Sequence, residues 1–158
     1  MTTRPERKPN RLQTYDYQLP GYYFITFCTA DRACLLGHVT EADETRQSSM
    51  ILSETGVVVD EAIRAIPVHY PGATLDKYVI MPNHVHLILA LQDAGAPCPS
   101  ISRIVQQLKG IITKRLGKNI WQIHFHDHVI RNEQDYREIR QYIDNNPTKW
   151  FLDRYYIP

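Results

Sequence analysis

Residues 22–29 alternate aromatic or β-branched side chains with smaller ones, a period of two that predicts a strand. The period changes over 53–66, where Val59, Ala62, Ile63 and Ile66 fall at i, i+3, i+4 and i+7. That spacing lines one face of a helix, which Pro67 and Pro71 are expected to end. Two strand-like runs follow, 74–81 and 84–91, with Pro82-Asn83 as the turn between them. After a loop containing Gly95, Pro97 and Pro99, Ser100 or Ser102 caps a second predicted helix. Its buried stripe is Ile101, Ile104, Val105, Leu108, Ile111 and Ile112, and its outer face carries Arg103, Lys109, Lys114 and Arg115. Residues 121–130 alternate again like a strand. Asn132, with Asp135 three positions on, then opens a third helix running toward Pro147.

The resulting order is strand, helix, strand, strand, helix, strand, helix. It fits a ferredoxin-like α+β sandwich, an antiparallel sheet with helices on one face, the other face left free for function, and a final helix after the last strand. A chain of 158 residues that is 43% hydrophobic has material for one core, so residues 21–158 are read as a single domain. Residues 1–20 are polar and proline-bearing, with Arg4, Arg7, Lys8 and Arg11, and are read as a basic arm. No internal repeat or low-complexity stretch is present.

Composition narrows the class only a little. Neither a signal-length nor a membrane-length apolar run occurs, and three cysteines at scattered positions suit neither a disulfide framework nor a paired-cysteine zinc site. A soluble cytoplasmic protein without a membrane partner is the expectation. The net charge of +1 does not announce a nucleic-acid binder, although ten tyrosines leave some for a surface on which bases stack.

Specific chemistry begins at His84-Val85-His86. On a strand, alternate side chains share a face, so the two imidazoles project together roughly 7 Å apart and can converge on one metal ion. Near the end of the third helix, Tyr142 and Asn146 are four residues apart and so share a helical face. Each pair alone reads better as ordinary structure. Together they have a joint meaning, because a metal polarises a phosphate oxygen while a phenolate attacks phosphorus. With an unperturbed pKa of ~10, tyrosine needs a nearby cation or proton acceptor to do so. His124, His126 and His128 also alternate and form a competing zinc candidate, but no cysteine lies close by to complete it.

The runs Met81-Pro82-Asn83-His84-Val85-His86-Leu87-Ile88 and Tyr142-Ile143-Asp144-Asn145-Asn146-Pro147 closely resemble the two motifs of the single-tyrosine HUH transposases. Within that group the chain looks most like the REP-associated tyrosine transposases, across roughly residues 11–150, including Gly21-Tyr22-Tyr23-Phe24-Ile25-Thr26 and His128-Val129-Ile130-Arg131-Asn132. The resemblance implies His84, His86 and Asn146 as ligands of Mg2+ or Mn2+ and Tyr142 as the nucleophile that forms a 5′-phosphotyrosine link. It also implies single-stranded or hairpin DNA as the partner and leaves monomer and homodimer both open. One departure is that the Trp-Ser-Ser-bearing tail of many relatives is not found up to Pro158.

For DNA contacts the candidates are Arg11, Arg32, Lys109, Lys114, Arg115 and Lys149 at phosphates, the basic face of the second helix foremost, with Trp121 or Tyr155 stacking on bases. Two other readings are carried forward: a hairpin-DNA-binding regulator that does not cut, and a zinc-dependent hydrolase. The second lacks a glutamate beside either histidine cluster to activate water.

Overall fold

A computed structural model describes residues 21–45, 47–92 and 99–157; the basic arm, Arg11 and Cys98 lie outside the described residues. The chain runs through β1 (Gly21–Cys28), β2 (Gly37–Val39), β3 (Met50–Leu52), α1 (Glu54–Arg64), α2 (Ile66–His69), β4 (Ala73–Met81) and β5 (His84–Leu91). It continues through α3 (Ile101–Leu116), β6 (His126–Ile130) and α4 (Glu133–Asn145). Four strands form an antiparallel sheet in the order β4-β5-β1-β6, with β2 and β3 as a separate two-stranded ribbon. This is the ferredoxin-like arrangement.

The period of two divides the sheet into two faces. Tyr23, Ile25 and Phe27 of β1 and Val85, Leu87 and Leu89 of β5 enter the main core. Val59, Ala62 and Ile63 of α1 and Ile101, Ile104, Val105, Leu108 and Ile112 of α3 close it from above. The intervening residues Phe24, Thr26, His84, His86 and Ile88 face the other way, where α4 packs Ile139 and Ile143 against Ile88, Phe24 and Val79. The second face is therefore not left free, as the strand and helix order alone suggests, but half covered by the last helix.

Helix starts follow local chemistry. Ser53 Oγ accepts from Gly56 N at 3.0 Å, Ser100 Oγ from Arg103 N at 3.3 Å, and Asn132 Oδ1 from Asp135 N at 2.8 Å. Gly56 is required by close approach, since a Cβ there would lie 2.0 Å from the Leu36 carbonyl oxygen. The docking of α4 is set by a bulge in β4 between Leu75 and Lys77, which leaves Asp76 without a cross-strand partner. Asp76 Oδ2 accepts from Tyr136 Oη at 2.8 Å and from Arg140 Nη1 at 2.9 Å, and Lys77 pairs with Asp144.

Several expectations are corrected. Pro67 does not end helical structure but sits in the first turn of α2, where its missing N–H costs nothing. Ile111 is 38% exposed, at the edge of the α3 stripe rather than within it. Only 126–130 of the run 121–130 form a strand; Trp121 makes a single bridge to Thr29, and Lys109 Nζ donates to the carbonyls of Gln122 and His124 across the intervening loop. The ribbon of β2 and β3 was not anticipated. No helix among the described residues is long and apolar enough to cross a membrane.

Candidate active site

The two-residue turn at Pro82-Asn83 makes His84 the first residue of β5, opposite Met81 on one side and Cys28 on the other; His86 stands between Val79 and Thr26. Both rings are buried, 0% and 2% exposed, with centroids 4.7 Å apart. Each Nδ1 has a partner, Asn83 Oδ1 at 2.8 Å for His84 and Thr26 Oγ1 at 2.7 Å for His86. Asn83 donates its amide to the carbonyls of Tyr155 (2.6 Å) and Arg32 (3.2 Å), so its oxygen is the acceptor and His84 carries its proton on Nδ1. Such partners orient a ring and leave Nε2 to the metal in histidine sites generally.

From the end of α4, Asn146 Nδ2 donates to the Tyr142 carbonyl at 2.6 Å, which turns Oδ1 away from that contact. Among the described residues four buried side-chain atoms have no hydrogen-bond partner, and three of them are His84 Nε2, His86 Nε2 and Asn146 Oδ1. An unmet buried polar atom costs about 1–3 kcal/mol, so three in one place mark a donor set for a ligand. Two imidazole nitrogens and an amide oxygen fit a divalent cation. No group of three or more His, Cys, Asp or Glu side chains among the described residues is gathered in ligating geometry.

Burial lowers the pKa of His84 to about 3, Arg154 adding to the effect and Asn146 opposing it. Burial likewise holds His86 well below 6.5, with His84 and Arg154 adding. Both imidazoles are thus neutral at neutral pH, with lone pairs available. The sign of the stability effect follows. In the unfolded chain these groups take up protons near pH 6.5, in the folded chain only far lower, so acid favours unfolding. The metal-free protein is expected to lose stability progressively as pH falls from about 6.5 toward 3. Denaturant midpoints across that range check this, and His84→Gln should flatten the slope.

Tyr142 is half exposed, its ring 5.3 Å from that of His86 and 6.3 Å from that of Phe24. Burial raises its pKa, the Asp153 carboxylate adding and Arg154 and Asn146 opposing. The phenol is therefore protonated at neutral pH unless a further cation approaches. Beyond α4, a 3-10 turn at Trp150–Leu152 folds the following residues back over His84, whose ring lies 4.4 Å from that of Tyr155 and 6.0 Å from that of Trp150. Asp153 Oδ2 stands 3.9 Å from His84 Nε2, and Arg154 Nη2 donates to Tyr155 Oη at 2.7 Å.

No family model matches the sequence. The chain is 33% identical over 174 aligned positions to an uncharacterized protein of Haemophilus influenzae, covering 96% of this chain and 93% of that protein. It is 38% identical over 76 positions to the REP-associated tyrosine transposase of Escherichia coli K12, covering 48% of this chain and 44% of that protein. It superposes with a TM-score of 0.65 and 27% identity on a REP-associated tyrosine transposase solved bound to a REP hairpin, covering 88% of this chain and 74% of that one. In sequence over about half its length and in fold over most of it, the chain resembles the REP-associated tyrosine transposases. A putative transposase of Deinococcus radiodurans, with a TM-score of 0.50 and 22% identity over 85% of this chain and 95% of that one, shares the fold.

Four residues singled out from sequence, His84, His86, Tyr142 and Asn146, come together on one sheet face. Arg32 lies at their margin, with its guanidinium 5.5 Å from the Tyr155 ring, and Lys149 is exposed on the turn after α4. Lys109, Lys114 and Arg115 do not join them. They belong to α3, which packs on the opposite face; Lys109 is tied to the loop after Trp121 and Arg115 to Glu61 at 2.6 Å. Nor are Trp121 and Tyr155 free to stack on bases, being 3% and 5% exposed, against Phe27 and His84 respectively. His124, His126 and His128 are exposed, and His128 pairs with Asp135 at 2.7 Å. Sequence reasoning missed Asn83, Asp153 and Arg154. The first is hidden inside a turn signal, and the other two lie in a stretch with no helical or strand period.

Proposed function

We propose that the chain is a metal-dependent single-strand DNA endonuclease and strand transferase that acts beside hairpins through a 5′-phosphotyrosine intermediate. The observation that carries the reading is the convergence of three unpartnered buried donors, His84 Nε2, His86 Nε2 and Asn146 Oδ1, beside the half-exposed phenol of Tyr142. His84, His86 and Asn146 would hold Mg2+ or Mn2+, which when bound polarises a phosphate oxygen and favours the phenolate. The hairpin preference is carried over from the relative whose structure holds one.

In the reaction the Tyr142 oxygen attacks phosphorus, the P–Oη bond forms and the P–O3′ bond breaks. The proton lost by the phenol balances the one gained by the 3′-oxygen. One phosphodiester replaces another, so the step is reversible and needs no nucleoside triphosphate. The positive charge of Arg154 opposes the rise in the Tyr142 pKa and would offset the developing anion. Asn146 ties nucleophile to donor set through its bond to the Tyr142 carbonyl. Phosphate contacts are assigned to Arg32 and Lys149, on the site's side of the sheet, rather than to α3.

The test is incubation with hairpins bearing single-stranded flanks, with Mg2+ or Mn2+, followed by denaturing electrophoresis. A covalent protein–DNA band that vanishes in chelator is expected, with binding that weakens steeply as salt rises. Cleavage that continues undiminished in chelator, or perfectly paired duplex cut as fast as the same strand unpaired, would overturn the reading.

A further inference from the structure

The donor set proposed above is uncharged, being two neutral imidazoles and an amide. A divalent ion in a buried site without an anionic ligand is left with its charge poorly compensated, and hard ions such as Mg2+ and Mn2+ favour carboxylate oxygen. Asp153 brings a carboxylate to this point from outside the sheet and helices that frame the site. Its side chain is 7% exposed. Oδ1 accepts from Tyr155 N at 2.9 Å, while Oδ2 stands 3.9 Å from His84 Nε2, beyond hydrogen-bonding distance.

The orientation of the imidazole makes that distance informative. Its Nδ1–H is committed to Asn83 Oδ1, so the neutral ring turns a lone pair toward the carboxylate. Two electron-pair donors then face each other with no hydrogen between them, which a cation placed between them resolves. Ligand atoms at about 2.0–2.2 Å from one ion lie about 3.0 Å apart when adjacent and about 4.2 Å apart when opposite. The observed 3.9 Å is about 0.3 Å short of the opposite arrangement, a gap that a small movement of the Asp153 side chain closes.

We propose that Asp153, which this structure does not gather with the two histidines in ligating geometry, closes in as the fourth protein ligand, and the anionic one, of the divalent ion held by His84, His86 and Asn146; this rests on the metal-dependent reading above. The set then becomes two nitrogens and two oxygens with one negative charge, and a six-coordinate ion keeps positions for substrate oxygens. Because Asp153 follows the Trp150–Leu152 turn, metal binding and the seating of that segment over His84 become one event.

Calorimetric titration of the full chain with Mn2+, together with melting temperatures with and without Mn2+, tests the assignment. Wild type should bind one ion and melt higher in its presence. Asp153→Asn keeps the acceptor for Tyr155 N and should melt as wild type without metal, yet bind Mn2+ about 10- to 100-fold more weakly and lose most of the metal-induced rise. Should that variant fold poorly, Asp153→Glu and Asp153→Gln differ only in charge, and the glutamate form should bind at least about tenfold more tightly. Affinities equal within about threefold in either comparison would remove Asp153 from the ligand set and leave the other three ligands standing. No Mn2+ binding by wild type would bring down the metal reading and this inference with it.

Discussion

Tyr142→Phe is expected to form no covalent DNA adduct and to cut the strand about a thousandfold more slowly or worse, because it removes the attacking oxygen and nothing else. Stability should stay within about 1 kcal/mol of wild type, since the ring's contacts with His86 and Phe24 are kept and the lost hydroxyl belongs to a half-exposed side chain. Hairpin and metal affinity should survive. The other tyrosines near α4 are placed for different work. Tyr136 gives its hydroxyl to Asp76, and Tyr155 is buried against His84, its ring 6.3 Å from that of His86 where the half-exposed Tyr142 stands at 5.3 Å. Peptide mapping of the wild-type adduct should find the nucleotide on Tyr142. An adduct on Tyr136, Tyr155 or Tyr156 would place the nucleophile elsewhere.

Removal of the histidine donors should be equally severe for cleavage and distinct in its signature. His86→Gln, alone or with His84→Gln, is expected to abolish the metal-dependent rise in melting temperature and to reduce cleavage by about a hundredfold or more. Hairpin affinity should change little, because contacts to phosphates supply most of the binding. Glutamine is preferred to alanine for the test. Both rings are buried and hydrogen-bonded, so truncation leaves a cavity costing about 2–4 kcal/mol and confuses loss of metal with loss of fold. Undiminished cleavage in the double variant would exclude these residues as ligands.

The parts of this site written in regular periods were legible in the sequence. A period of two set His84 and His86 on one face, and a spacing of four did the same for Tyr142 and Asn146 on α4. The capping signals at Ser100, one of two candidate serines, and at Asn132 marked the starts of α3 and α4. Legibility failed where a local pattern has no means of naming its partner. The amphipathic stripe of α3 shows which side is buried, not which sheet face covers it, so its basic side looked like a DNA surface and lies across the sheet from the site. Strands of three residues, such as β2 and β3, are too short to show a period. Residues 150–155 carry aromatics and charges with no repeat at all, although three of them surround His84.

The attachment of α4 has a consequence for motion. Its buried anchors are Ile139 and Ile143 alone, supplemented by the polar ties to Asp76 and Lys77, whereas α3 buries five residues in the main core. Helices so lightly held open by sub-global fluctuation, and their amides exchange with solvent deuterium well before those of the central strands. An ion bridging His84 and His86 on β5 to Asn146 at the end of α4 would act as a rivet between these two units. Deuterium uptake along 133–146 should then slow on adding Mn2+ while uptake in β1 and β5 stays as it was. The helix that carries the nucleophile would thus be rigid when loaded and able to lift away with its tyrosine when the ion leaves.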